Sequence, residues 1–369
     1  MNLQKVLYKI FCLGMLLLWL LAGCQQPTTP TKILFTLTTT PSIIPSMTSG
    51  PSLTPFRTPI PSSTPTQELP TPTPGTGYQL TYVSECQKDS QCMYAMDIGC
   101  LENVKPCLGE PHLLFEVSKT DQGPKPPVEY SAWSPDGKHV AICATGVKDQ
   151  GDVFVGDWNG KNWVNLTNSP IFECEPAWTP DGLYISYSGS SGEPDYHVWA
   201  FMITPDGKHV ERIMASENLS GIHRLSWSPD GQRVVFMHSD ENGYNQLFTA
   251  KPDGSGLKQL TDQPEDYFDP HFSPDGKWIV ATRELGKFED TQQYEIIVIK
   301  SDGSGEIKVI YQSPDYLFQP VWSPIGNWIA FTEGDTGLNI IKSDGSGLMR
   351  VSANNASIFA PAWRKISSP

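Results

Sequence analysis

From residue 78 onward, apolar residues alternate with polar ones in short runs, and the runs recur. Val140 and Ile142, Ile185 and Tyr187, Val234 and Phe236, Ile279 and Ala281, and Ile329 and Phe331 all stand seven and nine residues after an aromatic residue. A spacing of two puts both members of each pair on one face of a β-strand. Another apolar run follows in each repeat: Val153–Val155, His197–Trp199, Gln246–Phe248, Ile296–Val298 and Asn339–Ile341. A glycine-bearing turn comes next, as Asp253-Gly254-Ser255-Gly256, Asp302-Gly303-Ser304-Gly305 and Asp344-Gly345-Ser346-Gly347, with Asn159-Gly160 and Asp206-Gly207 in the same place. Such turns join antiparallel strands. A last short strand then ends at Leu260-Thr261 or its counterpart. The pattern predicts an all-β chain of four-stranded units.

The aromatic residue that opens each unit belongs to a recurring motif. Ala132-Trp133-Ser134-Pro135-Asp136-Gly137 returns at Ala177–Gly182, Ser226–Gly231 and His271–Gly276. Val321-Trp322-Ser323-Pro324-Ile325-Gly326 keeps the frame without the aspartate, and Pro361-Ala362-Trp363 stops short. The aromatics lie 45, 49, 45, 50 and 41 residues apart, the size of a propeller blade. Proline presets the first turn position, aspartate bonds its own turn backbone, and glycine takes a positive φ.

The motif resembles the TolB-type β-propeller repeat, a relative of WD-type blades, over Tyr78 to Trp363. The resemblance implies a closed propeller used mostly for protein binding. Residues 78–118 match the second to fourth strands of a blade, through Leu80 and Tyr82, Met93–Met96 and His112–Val117. The missing inner strand reads as Phe359 to Trp363, so the carboxyl-terminal strand is expected to complete the first blade. The expected fold is a six-bladed β-propeller over 78–365, with a tail at 366–369.

The amino terminus obeys different rules. Lys5 and Lys9 precede the apolar stretch Ile10–Leu21, about half the length that spans a bilayer, and Leu21-Ala22-Gly23-Cys24 follows. That tetrapeptide resembles the lipobox of bacterial lipoproteins, which implies a leader at 1–23, cleavage before Cys24 and lipidation of its thiol. Residues 24–77, rich in Thr, Pro and Ser, read as an extended stalk. The expected location is the cell membrane, lipid-anchored on the extracytoplasmic side. Residues 1–77 carry +3, so the total of −14 leaves −17 on the remainder. That charge argues against nucleic acid or an anionic membrane surface as the domain's partner.

Cysteines and the predicted channel supply the candidate sites. With Cys12 in the leader and Cys24 lipidated, six cysteines remain, and an exported chain favours bridges. The economical pairs are Cys86–Cys92 and Cys100–Cys107. Cys143 and Cys174 are expected to bridge adjacent blades or to stay buried as thiols. The first strands line a propeller's channel, and three residues before the aromatics stand Tyr130, Glu175, Arg224, Asp269, Gln319 and Ala360. With Glu129, His223 and His271 nearby, they form either a polar ligand pocket or a set of ion pairs satisfying one another. The loop aromatics Tyr267, Phe268, Tyr316 and Phe318 either anchor a partner at the rim or pack between blades. No Gly-x-Ser-x-Gly elbow and no His-Glu-x-x-His occur. The expectation is therefore a binding module for a protein, peptide or glycan, without a cofactor, a resident metal or chemistry of its own. The alternative is a metal-assisted polysaccharide lyase, for which His223 and His271 are the available imidazoles.

Overall fold

The computed structural model describes residues 77–366 apart from 100, 102–105, 119–122, 147–149, 191–196, 215–219, 287–291, 335–336 and 352–356. The leader, Cys24, the stalk up to residue 76 and residues 367–369 lie outside the described residues. So does Cys100, and with it the Cys100–Cys107 pair.

Alternation with period two produces antiparallel strands throughout, and these assemble into six sheets. The protein is a six-bladed β-propeller, and no α-helix occurs among the described residues. Blade 2 shows the plan: Lys125–Trp133 is innermost, then His139–Thr145, Gly151–Asp157 and the short outer strand Val164–Asn165. Blades 3 to 6 repeat it, with inner strands Glu173–Trp178, His223–Trp227, Asp266–Phe272 and Leu317–Trp322.

Blade 1 is assembled from both ends of the domain. Tyr78–Gln87, Ser90–Gly99 and His112–Ser118 supply three strands, and Ile358–Lys365 pairs antiparallel with the first of them. Leu80 lies opposite Trp363 and Ser84 opposite Ile358. The closing strand runs slightly longer at both ends than the apolar pattern indicated. A two-residue strand, Cys107–Leu108, adds to the same sheet beside Ile98 and Gly99.

The core lies between blades, because each sheet buries both faces against its neighbours. Six clusters of buried apolar side chains fill the six interfaces. At the 5/6 interface, for example, Ile296 and Val298 meet Trp322, Ile329 and Phe331. The motif aromatics wedge into these interfaces, each worth roughly 1.5–3 kcal/mol when fully buried. Several indole N–H groups reach the preceding blade: Trp133 donates to Thr81 Oγ1 at 2.8 Å, Trp227 to Ser186 Oγ at 2.9 Å, and Trp178 to the Ala132 carbonyl at 3.1 Å.

The motif turn is locked as its chemistry dictates. Ser134 Oγ donates to Asp136 Oδ1 at 2.6 Å, and the same oxygen accepts the Lys138 N–H at 3.1 Å. The arrangement repeats at Thr179, Ser228 and Ser273. Two disulfides brace the ring. Cys86–Cys92 staples a hairpin of blade 1, and Cys143–Cys174 joins blade 2 to blade 3 with its Cα atoms 5.1 Å apart.

Candidate functional site

The residue three before five of the six motif aromatics has an unusual backbone. Glu175, Arg224, Asp269, Gln319 and Ala360 have φ of 61°, 57°, 51°, 49° and 50°. Left-handed geometry costs a non-glycine residue on the order of 1–2 kcal/mol, so the surroundings must hold it. The pairing register slips at the same places, as between His223 and Ser226, Phe268 and His271, and Phe318 and Val321. Each is a bulge that re-aims one side chain and frees one N–H from the ladder.

Three of those N–H groups are claimed by the preceding blade. Glu175 Oε2 accepts the Arg224 N–H at 2.8 Å, Asp269 Oδ2 accepts the Gln319 N–H at 2.9 Å, and Gln319 Oε1 accepts the Ala360 N–H at 2.9 Å. Arg224 has no acceptor to offer blade 5. Its guanidinium donates to the Asp269 carboxylate instead, and its Nε lies 3.1 Å from Glu175 Oε1. The guanidinium also lies over the Tyr130 ring, 4.7 Å from its centre. Gln319 Nε2 crosses the ring to donate to the Glu129 carbonyl at 3.0 Å. The structure thus gathers Tyr130, Glu175, Arg224, Asp269 and Gln319 into one chain of contacts around the channel, which also holds the blades in register.

The electrostatics follow from enclosure. Burial alone would raise Glu175, but His223, 3.6 Å away, and Arg224 outweigh it and hold the carboxyl at about 2. Burial raises Glu129 and pushes Tyr130 well above its ordinary value, with Arg224 opposing both shifts. His271 is largely enclosed by protein, and desolvation lowers its pKa to about 4.

Two expectations change. Tyr267 is not a rim anchor: it is fully buried between blades 4 and 5, with its hydroxyl 3.3 Å from Glu265. Alternation along Asp266–Phe272 turns it inward. Phe318 is half-buried and stacks on Tyr316, ring centres 5.7 Å apart, so it keeps only part of its surface at the rim. Nor do His223 and His271 join a metal-binding set. The described residues close enough to share an ion are Glu129, Cys143 and Cys174, and the two cysteines are bonded to each other.

Charge separates along the channel axis, which the sequence total concealed. Glu173, Glu241, Asp262, Glu265, Asp315 and Glu333 stand at the end where the inner strands begin. Lys138, Lys208, Lys251, Lys277, Lys300 and Lys342 stand at the hairpin-turn end, interleaved with the turn aspartates.

Residues 200–367 match the PD40 family, the TolB beta propeller domain. Over that stretch, somewhat under half of the chain, the propeller is similar to the TolB type. TolB of Acinetobacter baumannii has the same fold, with a TM-score of 0.61 at 21% identity over 78% of this chain and 66% of that one. The Tol-Pal system protein TolB of Anaeromyxobacter dehalogenans is 31% identical over 31% of this chain and 24% of its own length. The uncharacterized peptidase YuxL of Bacillus subtilis is 28% identical over 44% of this chain and 22% of its own length. The chain therefore spans about a quarter or less of these two relatives. YuxL also corrects the expectation of a module without chemistry of its own: a relative of this chain is named an uncharacterized peptidase, so the resemblance does not exclude catalysis.

Proposed function

We propose that the propeller is a protein-binding scaffold that receives a cationic partner at the end where its inner strands begin. We further propose that a lipid on Cys24 holds it at the outer side of the cell membrane. One observation carries the binding reading. Net negative charge collects at the end whose loops differ from blade to blade, while at the other end the aspartates of the repeated, locked turns are interleaved with lysines. Variable loops on a rigid frame are where recognition is usually built. The Glu175–Arg224–Asp269–Gln319 ring lies at that end, with Tyr316 in a loop there and Phe318 at the start of the blade-6 inner strand. A protein is preferred over a peptide or glycan because an acidic surface steers a macromolecular cation most effectively.

The test is affinity capture from native envelope with the full-length protein as bait. Glu241→Lys, Asp262→Lys and Asp315→Lys alter exposed loop acids without touching the ring. Together they should weaken capture of the recovered partner at least tenfold, about 1.4 kcal/mol. Lys138→Glu, Lys208→Glu and Lys342→Glu at the turn end should leave it unchanged. The reverse ranking would place the interface at the wrong end.

A further inference from the structure

Inter-blade grooves at the hairpin-turn end share a frame, and the one between blades 5 and 6 stands open. At His139, Arg233 and Trp328, the residue six after the motif aromatic reaches the next blade. Between blades 4 and 5 that residue is Arg233. Its guanidinium lies over the Phe272 ring, 5.7 Å from the centre, and donates to the Ser301 carbonyl and hydroxyl, both at 3.1 Å. The next groove has the same frame: Trp322 replaces Phe272, and Ser343 replaces Ser301, each just ahead of an Asp-Gly turn. Trp278 stands where Arg233 stood. Its indole is 37% exposed, and beside it is a cavity of about 390 Å³ lined by Trp278, Trp322, Ser343, Asp275 and Asp344.

The blade-6 turn differs in the same place. Ile325 occupies the position of the motif aspartate and forms part of the cavity wall. The groove therefore presents two indoles and an aliphatic wall, with the Asp344 carboxylate and Asp275, which pairs with Lys277 at 3.5 Å, at its edge, and Lys308 Nζ 3.5 Å from the Ser343 carbonyl. Flat aromatic faces beside carboxylates suit a guanidinium, which stacks and donates in its own plane. The chain itself uses this chemistry nearby, where Arg364 lies between the rings of Trp133 and Trp158 at 4.9 and 4.8 Å.

We infer that the groove between blades 5 and 6 is a receptor for the guanidinium of an arginine on a partner protein. The incoming group takes the place that Arg233 fills from within in the neighbouring groove. Ser343 and Asp344 accept its N–H groups, and the indoles and Ile325 cover its plane and stem. The cavity is larger than a guanidinium, which leaves room for the backbone that carries it. This surface lies at the opposite end from the acidic loops, so it stands or falls independently of the function proposed above.

The experiment uses the full-length protein with ¹⁵N-labelled tryptophan indoles, titrated with the blocked tripeptide acetyl-Gly-Arg-Gly-amide. The comparison peptide carries citrulline, which has the same shape without the charge. The Trp278 and Trp322 indole signals should shift with an apparent Kd on the order of millimolar, and citrulline should bind at least tenfold more weakly. Asp344→Asn, at an exposed turn, should weaken the arginine peptide severalfold. Trp278→Arg should refill the groove from within and abolish the response of Trp322. Unmoved indoles, equal binding of citrulline, or full binding by Asp344→Asn would each overturn the assignment.

Discussion

A single hydroxyl decides whether a buried indole is satisfied. Thr81 and Ser186 accept the N–H groups of Trp133 and Trp227. The matching position in blade 5 is Val280, opposite His271, and the Trp322 indole nitrogen is buried without a partner. An unsatisfied buried donor costs about 1–3 kcal/mol. Val280→Thr should therefore raise stability by roughly 1 kcal/mol despite the added polar group, and Thr81→Val should lower it by about 1–3 kcal/mol. Chemical denaturation measures both, and a stabilised Thr81→Val would refute the account.

His271 sets a pH dependence at the same scale. Its folded pKa of about 4 lies below the unfolded value, so the folded state resists protonation. Its contribution is complete above pH ~6.5 and is lost as pH falls toward 4, on the order of 2–3 kcal/mol. His271→Gln should flatten that part of the stability–pH curve. An unchanged slope between pH 6.5 and 4 would assign it to other groups.

At the scale of elements, closure rests on Ile358–Lys365. The strand supplies hydrogen bonds to Tyr78–Gln87, and its Ala360 and Ala362 join the cluster between blades 1 and 2. It also carries Arg364, which donates to the Gly137 carbonyl at 3.0 Å and to Gln79 Oε1 at 2.9 Å. Truncation after Ser352 removes all of this and exposes a strand edge. Cooperative thermal unfolding should be lost, or the midpoint lowered by more than about 10 °C, since a shift of 1 kcal/mol moves such a domain by roughly 2–4 °C. A truncated protein melting at the full-length temperature would mean that the first blade closes without it. The strand was legible in the sequence because Trp363 keeps the motif and the first blade lacks an inner strand. The bulges were not legible. The left-handed residues are Glu, Arg, Asp, Gln and Ala, none of them a glycine that would have marked the geometry.

For the whole molecule, the proposed anchor makes the plainest prediction. If Cys24 carries lipid, Cys24→Ser should move the protein from the membrane to the soluble fraction and remove the acyl mass. A variant that stays acylated would place the lipid elsewhere.

The sequence by itself determined the strands, the turns, the blade count and the way the ring closes. Each depends on local periodicity and on turn residues within a few positions of one another, repeated often enough to be unmistakable. The tertiary structure alone decided what the channel residues do, that Tyr267 is covered, and that one groove stands open. Those outcomes depend on which side chains from blades some 45 residues apart meet. Charge shows the same division. The composition gives a sum, and only folding leaves one end net negative while the lysines offset the turn aspartates at the other, because alternate turns of an antiparallel blade emerge at opposite ends.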